Sequence, residues 1–134
     1  GEDVALLGVR DLDEAEGPEI LDAGIRVATM RDIDRHGLEN VVRQHVDGLM
    51  SRCTHLHVSF DVDFVDPDIA PGVGTPVRGG PTYRDAHLVM ELLADTGAVL
   101  SVDVVEVNPV LDHGNRTAEL AVDLLASLFG RKIL

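Results

Sequence analysis

Aromatic residues are scarce in this sequence: its 134 residues include no tryptophan, one tyrosine and three phenylalanines. Yet 45% of the residues are hydrophobic, which excludes a disordered chain and requires a core of valine, leucine, isoleucine and alanine. An aliphatic core of this kind suits a parallel sheet covered by helices. No apolar run approaches the length of a membrane span, and the opening residues GEDVALLGVR do not read as a signal peptide. We therefore expect a soluble α/β protein.

Basic residues and cysteine are also in short supply. The 11 lysines and arginines stand against 24 aspartates and glutamates, which gives a formal charge of −13. Such a surface repels phosphate backbones, so we expect no nucleic acid partner and no attachment to an anionic membrane. The charge is compatible with cationic substrates and metal ions. Cys53 is the only cysteine and cannot form an internal disulfide, which favours a reducing compartment and predicts a cytoplasmic protein.

Apolar runs alternate with amphipathic segments along the whole chain, the pattern of successive βα units. The pattern predicts strands over 4–9, 25–30, 55–63 and 99–107, a helical turn over 31–37, and helices over 14–23, 38–50, 82–97 and 117–129. This order implies an α/β fold with three αβα layers and a mainly parallel sheet, in which residues 1–134 form a single segment. In such sheets chemistry lies at the carboxyl ends of the strands.

Two aspartates near the end of the third predicted strand are the strongest candidate site. In SFDVDFVDP, strand alternation puts Ser59, Asp61 and Asp63 on one face. Two buried carboxylates without a partner would be costly, whereas both can reach one cation, and oxygen ligands of this kind suit Mn²⁺ or Mg²⁺. A solvated strand end with capping aspartates is the alternative. His55 and His57 lie further back on the strand, and we interpret them as packed or hydrogen-bonded residues rather than metal ligands.

A strand that ends in Asp-x-Asp also occurs in haloacid-dehalogenase-type phosphatases. That motif continues with glycine or threonine near the start of the chain, whereas here Phe64 and Val65 follow, on the third predicted strand. We therefore prefer the metal site to the phosphatase interpretation.

The wider pattern resembles the arginases of the ureohydrolase superfamily. SFDVDFVDP, APGVGTPVRGG, TYRDAH and DVVEVNPVLDHGNRTA look like the carboxyl-terminal half of an arginase, and RDLD near the start agrees with this. The resemblance implies two Mn²⁺ ions in each complete site, which activate a bridging water to hydrolyse L-arginine to L-ornithine and urea. The family's other metal-binding arm, Asp-Ala-His-x-Asp, and its GGDH segment do not occur in this sequence. We therefore expect the chain to require the missing amino-terminal half and to be inactive alone.

The resemblance assigns catalytic roles by position in these motifs. Asp61 would bridge both Mn²⁺ ions, and Asp63 would bind one of them. Glu106, in EVNP, would hold the substrate guanidinium by charge-assisted hydrogen bonds. Thr75, in GTP, would line the pocket beside it, and Asp103 would support the site from behind the ligands.

Four further residues receive binding or assembly roles from the resemblance. Asp13 and Glu16 match acidic positions that contact the α-amino group of the substrate, with helix-start chemistry as the alternative. Arg84 and Asp34 match positions of intersubunit ion pairs, which implies a homotrimer or homohexamer; ordinary surface ion pairing is the alternative.

Two other functions stay open. Agmatinases and guanidino-acid hydrolases share the metal motif but usually lack the acidic RDLD feature, so Asp13 and Glu16 discriminate between them and an arginase. The chain could also be a non-catalytic half-domain that binds metal weakly or serves only in assembly. In that case its unpaired sheet edge should make it oligomeric.

Overall fold

The computed structural model describes residues 1–132, and its strands pair in parallel. The strands are β1 (Ala5–Val9), β2 (Arg26–Thr29), β3 (Leu56–Asp61) and β4 (Val99–Val105). The helices are α1 (Glu16–Asp22), α2 (Met30–His36), α3 (Leu38–Met50), α4 (Tyr83–Asp95) and α5 (Arg116–Leu128), and a 3₁₀ turn covers Val62–Phe64. β1 pairs with β2 and β3 with β4, each in parallel. The predicted α/β class is confirmed, and the chain divides into two compact units, Gly1–Thr54 and the part from His55 onward.

The first unit packs α2 and α3 against β1 and β2. A capping box starts α2: the hydroxyl of Thr29 accepts from the amide of Asp32, and the carboxylate of Asp32 accepts from the amide of Thr29. Gly37 joins α2 to α3 with a φ of 82°, a conformation that glycine adopts without steric cost. The predicted helical turn is therefore a complete helix. The core of this unit consists of Ala28, Ile33 and Val41, with Leu7, Met30 and Leu38 packed against it.

The second unit packs α4 and α5 over the pair β3–β4. Alternation along β3 buries Leu56 and Phe60 on one face and leaves His57 and Ser59 exposed on the other, as the sequence predicts. Leu124 of α5 is fully buried. Other buried apolar residues of this unit include Val62, Val65, Ala70, Val73, Ala86, Val89, Met90, Leu92, Leu93, Leu120, Ala121 and Leu128.

The two helices of this unit begin in different ways. α4 starts with the predicted capping box, since Thr82 accepts from the amide of Asp85 at 3.2 Å and Asp85 accepts from the amide of Thr82 at 3.0 Å. At α5 the residue before the first turn, Asn115, makes no side-chain cap. Asp112 supplies it instead, accepting from the amides of Thr117 and Ala118. The sequence analysis did not identify this cap.

The end of β3 differs from the prediction. We predicted a strand as far as Asp63, with Ser59, Asp61 and Asp63 on one face. β3 ends at Asp61, and Asp63 lies in the 3₁₀ turn, so the prediction is wrong for Asp63. The physical reason is local: the carboxylate of Asp61 accepts a 3.0 Å hydrogen bond from the amide of Asp63, which caps the turn and ends the strand.

No helix within residues 1–132 is long and apolar enough to cross a membrane.

Candidate active site

Asp61 and Asp63 lie together where β3 passes into the 3₁₀ turn. Both residues are half-buried, and the hydrogen bond from the Asp63 amide to Asp61 Oδ1 orients the carboxylate of Asp61. Thus the turn, rather than strand alternation, brings the two carboxylates to the same end of β3. The predicted strand geometry of Asp63 is wrong, and the role of the two aspartates as metal ligands stays a prediction.

A loop between the 3₁₀ turn and α4 brings Thr75 to this pair. The hydroxyl of Thr75 donates to Asp63 Oδ2 over 3.3 Å. The neighbouring Gly74 lies against Glu106, because a Cβ atom built on Gly74 would be only 3.2 Å from Glu106 Oε2. Asp63, Thr75, Gly74 and Glu106 therefore surround one locus at the carboxyl ends of β3 and β4.

Glu106 occupies a special position at the end of β4. Its φ of 64° lies in the left-handed region, which residues other than glycine rarely adopt. Such conformations persist where the surrounding structure holds them, and they are frequent at functional sites. Here the conformation ends the strand after Val105 and accompanies the approach of the Glu106 carboxylate to Gly74.

The electrostatics of this locus favour a cation. Burial raises the pKa of Asp61; the amide of Asp63 opposes the shift, and the negative charges of Asp63 and Glu106 add to it. Three carboxylates therefore repel one another at one end of the sheet, an arrangement that a positive ion or a guanidinium group would relieve. A metal ion is consistent with the donor chemistry, because Asp61 and Asp63 present hard carboxylate oxygens.

These two aspartates would supply only part of a metal centre. Within residues 1–132, no group of three or more His, Cys, Asp or Glu side chains has an arrangement that could hold a metal ion. Binuclear manganese chemistry would therefore need ligands in addition to Asp61 and Asp63.

Asp66 contributes to the site in a way that the sequence analysis did not predict. Its carboxylate Oδ2 accepts from the amides of Gly79 and Gly80, at 2.8 and 3.2 Å. Oδ1 accepts from the amide of Asp68 at 3.0 Å. This aspartate thus ties the residues that follow the 3₁₀ turn to the glycine pair before α4. The Asp-Pro motif is the only local sequence feature that marks this residue. Its hydrogen-bond partners Gly79 and Gly80 lie too far along the chain to be predicted from that motif.

Asp13 and Glu16 lie in the first unit, where both are exposed. The carboxylate of Glu16 accepts from the amide of Asp13 at 2.8 Å, and the amide of Glu16 donates to the carbonyl of Asp13 at 3.0 Å. These hydrogen bonds lie at the start of α1, as in the alternative interpretation given above. Their contact with a substrate stays a prediction.

Asp103 lies beside His57 on the exposed face of the β3–β4 pair. Asp103 Oδ2 is 3.4 Å from His57 Nε2, and His57 Nδ1 is hydrogen-bonded to Ser101 Oγ at 2.8 Å. His57 is thus hydrogen-bonded, as predicted, but it is not a core residue of this chain: about half of its side chain is exposed. A supporting role of Asp103 behind the ligands stays a prediction.

Arg84 forms a two-pronged ion pair within the chain. Its guanidinium donates to both carboxylate oxygens of Glu91, at 2.9 and 2.6 Å, along the exposed side of α4. Asp34 is exposed on α2. Their predicted roles in an intersubunit contact stay predictions.

This chain is similar to known proteins in sequence and in fold. The model of the Arginase family matches residues 1–130. The arginase of Bacillus subtilis (strain 168) is 50% identical over 133 residues, which cover 99% of this chain and 45% of that protein. The crystal structure of the arginase from Bacillus caldovelox superposes with a TM-score of 0.96 at 49% identity, over 99% of this chain and 44% of that one.

A structure described as a hypothetical agmatinase is less similar to this chain. The crystal structure of a hypothetical agmatinase from Burkholderia thailandensis matches with a TM-score of 0.78 and 27% identity, over 95% of this chain and 38% of that one. The chain spans about half the length of the curated relatives that it matches. The match of the family model to nearly every residue, with the likeness to arginases in sequence and in fold, shows that this chain belongs to the arginase family.

Proposed function

We propose that this chain is the carboxyl-terminal half of the catalytic domain of an arginase, which hydrolyses L-arginine to L-ornithine and urea. One observation carries the proposal: Glu106, Thr75 and the aspartate pair converge on one locus at the carboxyl ends of β3 and β4. A guanidinium group matches this locus in charge and hydrogen-bonding capacity, because it is planar, cationic and rich in N–H donors.

Asp61 and Asp63 are the residues that would hold manganese. When bound, a pair of Mn²⁺ ions supplies Lewis acidity and lowers the pKa of water. The chain's own contribution is to present two restrained carboxylates, and the amide of Asp63 holds Asp61 Oδ1. The hydroxyl of Thr75 likewise restrains Asp63 Oδ2. Restrained ligands need little reorganisation on binding, which favours a defined metal geometry.

Glu106 would bind the guanidinium group of the substrate. It stands at a strand end with its carboxylate beside Gly74, whose missing side chain leaves room for a planar group. A carboxylate that accepts two N–H bonds from a guanidinium fixes the orientation of the central carbon as well as its position. We expect Glu106 to contribute to catalysis by orienting that carbon toward the metal-binding aspartates.

Asp13 and Glu16 would distinguish arginine from a guanidino acid, because arginine carries an α-amino group that a guanidino acid lacks. Agmatine keeps the amine and lacks only the carboxylate. The arginase of Bacillus subtilis is 50% identical to this chain and the hypothetical agmatinase 27%, and this difference supports arginine as the substrate. An agmatinase or a guanidino-acid hydrolase is the alternative within the family.

The discriminating experiment replaces Asp13 with alanine in the full-length protein that contains this chain. We expect kcat/KM for L-arginine to fall by about tenfold or more, since a charge-assisted hydrogen bond is lost, and turnover of 5-guanidinopentanoate, which is arginine without its α-amino group, to change little. Glu14→Ala removes an adjacent exposed carboxylate and serves as the matched control, with both substrates unaffected. Equal losses on the two substrates would contradict the role of Asp13, and a wild-type protein that prefers agmatine or a guanidino acid would refute the arginase assignment.

The proposal includes a dependence on the other half of the catalytic domain. Alone, this chain would bind divalent metal weakly and leave arginine intact, whereas the full-length protein would form a cytoplasmic homotrimer or homohexamer with Arg84 and Asp34 at its interfaces. Arginase assays of the 134-residue chain, with and without the separately produced amino-terminal half, test this dependence. Activity of the chain alone would contradict it; no activity in either form, with an active full-length protein, would show that the halves do not reassemble.

A further inference from the structure

The loop that carries Gly74 and Thr75 is also held by hydrogen bonds to residues other than the two aspartates. We call residues 70–76 the pocket loop. Within this loop Gly72 is buried, and both its amide and its carbonyl make hydrogen bonds. The Gly72 carbonyl accepts from the amide of Asn108 at 2.7 Å, and the Gly72 amide donates to the hydroxyl of Thr117 at 2.8 Å. The first bond leads to the strand end with Glu106, and the second leads to α5.

Thr117 is a buried polar residue that the proposed chemistry does not use. It lies in the first turn of α5 with no exposed surface. Its amide donates to the Asp112 carboxylate at 3.0 Å, and its hydroxyl accepts from the amide of Gly72. Thr117 thus joins the carboxylate that caps α5 to the buried amide of the pocket loop.

The fit at this point excludes a side chain on residue 72. A Cβ atom built on Gly72 would lie 2.6 Å from Asp112 Cβ and 2.9 Å from Thr117 Oγ1, both below contact distance. The start of α5 is also linked to the preceding part of the loop, since Arg116 donates to the carbonyls of Asp68 and Ile69 at 3.3 and 3.4 Å. The pocket loop therefore rests directly on the amino-terminal turn of α5.

We propose that Thr117 is a positioning residue for the substrate pocket: through the Gly72 amide it sets the distance of Gly74 and Thr75 from Glu106 and Asp63. The inference rests on the proposed function, because it assigns the residue to the binding of the guanidinium end of the substrate. Valine has the same shape as threonine but lacks the hydroxyl, so Thr117→Val would leave the buried Gly72 amide without a partner. The loop would then shift or loosen beside Glu106.

The test uses Thr117→Val and Thr117→Ser in the full-length, manganese-loaded protein. We expect Thr117→Val to raise KM for L-arginine by roughly five- to tenfold, the effect of one lost buried hydrogen bond, with kcat changed by less than about twofold and bound manganese unchanged. Hydrogen–deuterium exchange of the peptide over residues 70–76 should accelerate by roughly tenfold. Thr117→Ser keeps the hydroxyl and should restore both quantities.

Thr96→Val is the matched control. The Thr96 hydroxyl also bonds backbone groups, donating to Leu93 and accepting from Ala98, but it precedes β4, at the end of the strand away from Glu106. Its loss should lower stability and leave KM unchanged. An unchanged KM in Thr117→Val, or an equal rise in Thr96→Val, would overturn the inference.

Failure of the proposed function gives a different result. A wild-type protein that does not hydrolyse arginine refutes the arginase assignment whatever the variants do. In that case the hydrogen–deuterium exchange of residues 70–76 still tests the positioning role of Thr117. An unchanged exchange rate in Thr117→Val overturns this role. A faster rate in Thr117→Val that returns to the wild-type value in Thr117→Ser supports it.

Discussion

The amide of Asn108 donates a 2.7 Å hydrogen bond to the carbonyl of Gly72, which joins the end of β4 to the pocket loop. Glu106 lies two residues before Asn108, and Thr75 lies three residues after Gly72. A single backbone bond therefore links the carboxylate proposed to hold the guanidinium group to the hydroxyl that restrains Asp63. The proposed metal ligands and the proposed substrate carboxylate are consequently parts of one connected structure.

Replacement of Asp61 by asparagine tests the metal assignment. Asparagine keeps the size of the side chain and removes the charge that a divalent cation requires, so we expect loss of at least one manganese ion per site and a fall in kcat of about 100-fold or more. Elemental analysis of the dialysed full-length protein and a urea-release assay measure the two effects. Asp68→Asn, at an exposed position nearby, should change neither; full manganese content in Asp61→Asn would contradict the assignment.

The capping box of α4 should contribute measurably to stability. Thr82→Ala removes the side-chain acceptor of the Asp85 amide, and we expect the free energy of unfolding to fall by about 1 kcal/mol. Urea denaturation followed by circular dichroism gives this value. Thr82→Ser retains the hydroxyl and should stay within about 0.5 kcal/mol of wild type; equal losses in both variants would show that the methyl group, not the cap, matters.

Asp112 should make the stability of the protein sensitive to acid. Partial burial would raise its pKa, but hydrogen bonds from Thr117, Ala118 and His113 outweigh this and hold the pKa below the ordinary value of 3.8. A depressed pKa in the folded state adds stability that is fully present above pH 3.8 and is lost as the pH falls through the folded value. Asp112→Asn should flatten this loss.

Urea denaturation of the wild type and Asp112→Asn between pH 2.5 and roughly pH 5.5 measures the difference in slope. Asp22→Asn, which changes an exposed aspartate at the end of α1, is the comparison variant and should retain the wild-type slope. Parallel curves for wild type and Asp112→Asn would mean that the cap at α5 does not depend on charge.

His87 should produce a second pH dependence, closer to neutrality. It is buried between α4 and α5, where Nδ1 is hydrogen-bonded to Ser127 Oγ at 2.8 Å and Nε2 has no partner among the described residues. Burial lowers its pKa below the ordinary 6.5; among its charged neighbours Glu91 and Asp123 raise it, and Arg84 and Arg131 lower it. The unfolded chain therefore takes up a proton first, and stability falls as the pH drops below 6.5, until the folded value is passed.

His87→Gln removes the titration and keeps a group that can bond Ser127. The stability difference between pH 7.5 and roughly pH 5.5 should therefore shrink in this variant. His36→Gln, at an exposed histidine on α2, provides the comparison. If His36→Gln removed the pH dependence of stability and His87→Gln retained it, the role of the buried histidine would be contradicted.

Most of the correct structural predictions came from local sequence patterns. The alternation in β3 predicted the burial of Leu56 and Phe60, and the motif at Thr82 and Asp85 predicted the cap of α4, because both depend on neighbours within a few residues. The charged pair Asp61 and Asp63 was identified from its motif. Its placement on one strand face was wrong, since the hydrogen bond between Asp61 and the amide of Asp63 ends the strand.

By itself the sequence determined the α/β class, the order of the elements, the family resemblance and the identity of the candidate ligands. These follow from the periodicity of apolar residues and from short motifs, which act over one or two turns of chain. Only the tertiary structure decided that Gly74 would lie beside Glu106, that Thr75 would reach Asp63, and that Asp112 and Thr117 would hold Gly72. These contacts join residues far apart along the chain, so they arise from the packing of the pocket loop against β4 and α5 rather than from any local preference.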